Sequence, residues 1–199
     1  MNSTKILKDR RWQVQFQSHG DRWGHTIGVW SGDRLMPFLA SCEGTESEHW
    51  PPSPPLTEVH IDTSLAKPTA MLVGMSGDSH WSITVQLDTD RASLQFDVAC
   101  RIKTEPPEFT GLHSGGWGMG SCYRSMICPT DCTNHELRFV MDQVKLGIVT
   151  ADQADVPAAT IVADENMLYF SAESQPGSLP RTIRWQYRLT DIAGEPALK

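Results

Sequence analysis

A chain of 199 residues and 22.2 kDa is long enough to bury the core of one sizeable domain. With 39% apolar and 21% charged residues, its composition is that of an ordinary globular protein rather than a disordered one. The formal net charge of −7 disfavours nucleic acid as a partner, because phosphate binding needs a concentrated basic surface. No stretch approaches the roughly 20 consecutive apolar residues of a membrane span. Residues 1–11 hold four basic side chains with no apolar run behind them, so neither a signal nor a transit peptide is expected, and cytoplasmic is the simplest location.

In chain order, Trp12, Val14 and Phe16 alternate with glutamines, the period-2 pattern of a strand with one buried face. A turn signal at His19, Gly20 and Asp21 leads to a second run carrying Trp23, His25, Ile27 and Val29, closed by Ser31, Gly32 and Asp33. Residues 40–55 change character: Pro51, Pro52, Pro54 and Pro55 exclude helix and central strand and predict a surface loop, with Trp50 packed back onto the body. Alternation resumes at residues 56–62, with Val59 and Ile61 inward and Glu58, His60 and Asp62 outward.

The clearest pattern lies in residues 78–102. Trp81, Ile83, Val85 and Leu87, then Leu94, Phe96, Val98, Cys100 and Ile102, alternate with polar residues on either side of a short polar turn, which predicts an antiparallel hairpin. Residues 104–134 then read as one long irregular loop rich in glycine and proline. Residues 135–149 fit two patterns, a helix opened by a Thr133/Glu136 capping box or two strands with a phase slip at Gln143; the strands are the preferred reading. A hairpin over residues 160–172 and a last strand bearing Ile183, Trp185, Tyr187 and Leu189 follow, with residues 1–10 and 191–199 expected to fray. Many short strands and frequent turns predict an all-β, single-domain antiparallel β-sandwich or related barrel with long loops.

Four groups carry candidate chemistry. Cys122, Cys128, Cys132 and His135 offer thiolate and imidazole ligands for a tetrahedral zinc ion, against the alternative that the cysteines are plain thiols; their spacing departs from the usual paired knuckles. Glu58, His60 and Asp62 share one strand face, as an acid–base set or as a solvated surface. Asp97 and Arg101 face outward beside His80, with Arg184 and Arg188 on the last strand, either as a ligand cluster or as a cross-strand salt-bridge ladder. His113 and Trp117 sit in the glycine-rich loop, where an aromatic ring can stack on a sugar. Together, His80, Asp97, Arg101, His113 and Trp117 are the expected ligand-binding residues. The expected function is binding of a small molecule or glycan, carbohydrate first. The alternatives are a sugar-modifying epimerase or lyase using His60 or His80 with Glu58 or Asp97, and an interaction module with a zinc-stabilised loop.

Overall fold

The computed structural model describes residues 3–114, 116–150, 159–172 and 177–192. Its strands are β1 (Thr4–Lys8), β2 (Trp12–His19), β3 (Arg22–Ser31), β4 (Arg34–Ser41), β5 (Glu58–Asp62), β6 (Thr69–Ser76), β7 (Ser79–Asp88) and β8 (Ser93–Ile102). They continue with β9 (Gly120–Ser125), β10 (Asp131–Cys132), β11 (Glu136–Met141), β12 (Val144–Thr150), β13 (Thr160–Asp164), β14 (Met167–Ser171) and β15 (Arg181–Asp191). Among the described residues there is no helix, and so none long and apolar enough to cross a membrane. Two antiparallel sheets pack face to face. One runs β1-β2-β3-β4-β9-β14-β13, and the other runs β10-β11-β12-β15-β8-β7-β6-β5.

The expected β-sandwich is therefore the observed fold, and the β7–β8 hairpin forms in the predicted register. Trp81 lies opposite Cys100, Ile83 opposite Val98, Val85 opposite Phe96 and Leu87 opposite Leu94, all facing the core. β15 pairs along the free side of β8 and brings Ile183, Trp185, Tyr187 and Leu189 into the same layer. Inward residues of β2, β3 and β4 supply the opposing layer, from Trp12, Val14 and Phe16 to Phe38 and Leu39. Residues 136–150 are two strands joined at Asp142, whose positive φ of 55° turns the chain.

Four expectations need correction. Residues 4–8 are paired with β2 instead of fraying, and Leu7 is fully buried. β4, over residues 34–41, takes in residues 40 and 41 of the expected 40–55 loop, and Pro37 is accommodated in it next to a register shift between Ile27 and Gly28. The 104–134 region contains β9, an interior strand between β4 and β14, and the short β10. The proline segment is not a surface loop: Pro51 to Leu56 are all buried. It leaves β4, crosses from one sheet to the other and plugs one end of the sandwich. Trp23 N–H donates to Leu56 O at 2.7 Å, Thr57 N–H to Val73 O at 2.9 Å, and Trp50 meets Trp81 edge-on. Proline carries no N–H, so a proline-rich segment enters the interior with few donors left to satisfy. Beyond Ile192 the expected frayed tail lies outside the described residues, as do residues 173–176 of the loop before β15.

Candidate functional site

The sandwich carries chemistry in three places: the outer face of the eight-stranded sheet, the layer between the sheets, and the outer face of the seven-stranded sheet.

On the eight-stranded sheet, strand alternation puts every second residue of β5 to β8 and β15 outward. His80 lies opposite Arg101, which lies opposite Thr182, with Met75 on the other side of His80. One row along, Glu58, Val73, Ser82 and Ala99 cross β5 to β8 in register. These two rows, with Thr57 and Gly74, line an open concavity of about 500 Å³. Glu58 and His80 are two strands and two residues apart, which puts their backbones roughly 12 Å apart and leaves the space between the side chains for a ligand. Arg101 and His80 are exposed, and among the described residues no carboxylate forms an ion pair with Arg101. Met71, Val73 and Met75 form an exposed apolar stripe along β6 on the same face.

Asp97, the third expected member of this cluster, is engaged elsewhere. Its Oδ2 accepts from Arg184 Nη2 at 2.7 Å across the β8–β15 pair. That is one rung of the salt-bridge ladder, and it holds Asp97 away from the concavity. His60 and Asp62 continue the outward row of β5, where Asp62 caps the following turn by accepting from Ser64 N–H and Oγ–H.

Between the sheets lies a polar chain that periodicity alone does not reveal. His25 Nε2 contacts Tyr123 Oη at 2.9 Å, and Tyr123 Oη contacts Tyr187 Oη at 2.5 Å. Trp185 Nε1–H donates to Ser121 Oγ at 3.2 Å. Tyr123 belongs to one sheet and Tyr187 to the other, so the contact is a polar rivet through the core. Phe96 and Phe170 stack on the two faces of the Tyr187 ring at 4.8 and 4.5 Å. Burial holds His25 neutral, with its pKa lowered to about 4, and pushes both tyrosines above their ordinary value. Nearby, Glu43 has an Oε1 shut off from solvent and without a hydrogen-bond partner, and desolvation raises its pKa to about 7.

On the outer face of the seven-stranded sheet, residues 104–114 and 116–119 fold back as a flap over β9 and β14. Phe109 stacks on Tyr169 at 4.5 Å, Trp117 tilts against the same ring, and Leu112 and Cys122 complete a small separate apolar cluster. His113 Nε2 meets Asp164 Oδ2 at 2.8 Å. The five expected ligand residues are thus split: His80, Asp97 and Arg101 share one face, while His113 and Trp117 lie on the opposite side of the molecule. Trp117 and Trp50 both anchor their own segments.

The four expected zinc ligands are also dispersed. Cys122 is buried under the flap, Cys128 and Cys132 are exposed, and His135 Nδ1 lies 3.3 Å from both Thr150 Oγ1 and Ala159 O. Among the described residues no group of three or more His, Cys, Asp or Glu side chains is arranged to hold a metal ion. The physical reason is β9: the strand turns the Cys122 side chain onto the outer face of the sheet, under the flap, while Cys128 and Cys132 lie exposed beyond the strand's end.

What spacing missed is the partner of Cys122. The register Ala40 opposite Arg124 and Ser41 opposite Tyr123 continues to Cys42 opposite Cys122, with Cys42 N–H donating to Cys122 O at 3.0 Å. Interaction with the Cys122 thiol and the positive charge of Arg124 lower the Cys42 pKa to about 7, against the opposing effect of burial. The Cys122 thiol is pushed up by Cys42 and by burial.

No protein-family model and no curated protein sequence matches the chain.

Proposed function

We propose that the protein binds a small acidic, hydroxylated ligand, a carboxylate-bearing saccharide, in the concavity on the outer face of the eight-stranded sheet. The observation that carries this reading is the Arg101–His80 pair, side by side on the rim of that concavity, with no carboxylate among the described residues in an ion pair with Arg101. A guanidinium presents a planar fork that matches a carboxylate in two parallel hydrogen bonds. Thr57, Ser82 and Thr182 bring hydroxyls to the same walls, and Glu58 faces the pair from β5 as an acceptor for sugar hydroxyls. Val73, Met75 and Ala99 add apolar surface for the ring face.

Isothermal titration with glucuronate and galacturonate oligomers, beside neutral glucans, tests the reading. Binding of the acidic sugars and a loss of about 10- to 100-fold in Arg101→Ala are expected, the range for one charge-assisted hydrogen-bonded contact. Equal affinity in Arg101→Ala, or no uronate binding at all, removes the proposal. Trp117→Ala, on the opposite face, is expected to leave the affinity unchanged.

The same concavity favours one second reading. Glu58 and His80 approach it from two sides, the arrangement an epimerase or lyase needs to remove and return a proton next to a sugar carboxylate. Incubation with a polyuronate distinguishes the two: turnover lost in His80→Ala with binding retained supports the enzyme, and binding without turnover leaves the binding module.

A further inference from the structure

We propose that Cys42 and Cys122 form a dithiol site that reacts with low-molecular-weight disulfides, closing a cross-strand disulfide beneath the flap that carries Phe109, Leu112 and Trp117. The geometry comes from the sheet. Directly opposed residues of an antiparallel pair have Cα atoms about 4.5 to 5.5 Å apart and side chains on the same face, and a disulfide spans Cα separations of about 4.4 to 6.8 Å. Cys42 and Cys122 occupy such opposed positions at the end of the β4–β9 pairing, and Cys42 packs against the cluster that contains Cys122. The ladder is already relaxed at this point, because Cys122 N–H donates to Ser53 Oγ at 3.0 Å instead of returning a bond to Cys42. The backbone there has room for the small adjustment that bridging needs.

Exposure sets the order of events. Cys42 is partly exposed and Cys122 is fully buried, so an outside reagent meets Cys42 first. Arg124, whose positive charge acts on the Cys42 sulfur, supports the thiolate, the attacking form. Written with its electrons balanced, the Cys42 thiolate attacks one sulfur of RS–SR, the S–S bond breaks, and RS⁻ leaves to take a proton from water. Cys122 then gives up its thiol proton and attacks the Cys42 sulfur of the mixed disulfide. The second RS⁻ leaves with that proton, so two protein thiols are oxidised and one RS–SR is reduced to two RSH. The remaining cysteines do not compete for this pairing: Cys100 is buried in the core on the other sheet, and Cys128 and Cys132 are exposed beyond β9.

Oxidised glutathione is the probe. The full chain carrying Cys128→Ser and Cys132→Ser keeps three of the five cysteines. After treatment and unfolding, alkylatable thiols are expected to fall from three to one, with a peptide pair linking Cys42 to Cys122 on mass mapping. Cys122→Ser in the same background is expected to accumulate a stable glutathione adduct on Cys42, and Cys42→Ser is expected to accumulate none. Mapping of the unsubstituted chain for the same linked peptides does not depend on how the variants fold. Three thiols remaining, a persistent adduct on Cys42 with Cys122 free, or modification at Cys100 would each overturn the proposal.

Discussion

Gly74 shows how closely single residues govern the plug that closes the sandwich. It faces inward on β6, and a Cβ there would stand 1.8 Å from Pro55 O and 2.8 Å from Leu56 Cα. The proline segment can cross beneath β6 only because this position has no side chain. Gly74→Ala is expected to destabilise the protein by about 2 to 3 kcal/mol through overpacking. Gly32 supplies the comparison: nothing lies within 4 Å of its missing Cβ, but its φ of 58° is left-handed, so Gly32→Ala is expected to cost only about 1 kcal/mol. Urea denaturation of both variants measures the difference, and equal losses would mean that the plug yields freely.

At the scale of elements, the flap is held by few contacts. Phe109 lies flat on Tyr169, and at the foot of the flap Arg181 grips Glu105 with two bonds of 2.6 Å. Phe109→Ala removes an aromatic pair worth about 1 to 1.5 kcal/mol and is expected to open the flap locally while the sheets stay closed. Alkylation of Cys122 in the native protein should then quicken roughly tenfold, the factor that about 1.4 kcal/mol produces; an unchanged rate would show that the flap does not guard this thiol. The same flap explains what was legible in the sequence. β7 and β8 could be read residue by residue because one face of each is buried and the other is wet. β9 could not, because Gly120 to Tyr123 are buried on both faces, by the core and by the flap, so that only Arg124 of the strand is exposed and no alternation shows. The outward residues His80, Arg101 and Glu58 were legible as a polar face, and their convergence required the strand order. Cys42 and Cys122 lie far apart in sequence, and only the pairing of β4 with β9 brings them together.

At the scale of the whole molecule, His25 and Glu43 tie stability to pH with opposite signs. His25 titrates at about 4 when folded against an ordinary 6.5. The unfolded chain therefore takes up a proton that the folded one refuses, and the stability present above pH 6.5 is lost as pH falls toward 4. Glu43 titrates at about 7 when folded against an ordinary 4.5. The folded chain keeps a proton that the unfolded one releases, and the stability present below pH 4.5 is lost as pH rises toward 7. The two slopes, each at most about 1.4 kcal/mol per pH unit, oppose one another over nearly the same range. Their combined contribution in the unsubstituted chain is expected to be nearly level between pH 4.5 and 6.5. Measured by urea denaturation across that range, His25→Gln should lose stability as pH rises and Glu43→Gln should gain it. Level curves in both variants would show that neither group is perturbed as described. The position of β15 has a further consequence, for synthesis on the ribosome. All ten residues of β8 pair with β15, and β12 closes on its other side. Until Arg181–Asp191 has emerged, β8 presents an open edge, and the β5–β8 and β10–β12 halves of the sheet have no common strand. A nascent chain thus carries, from the completion of β8 until β15 emerges, an edge that invites foreign pairing, and one late strand joins the two pieces into a single sheet.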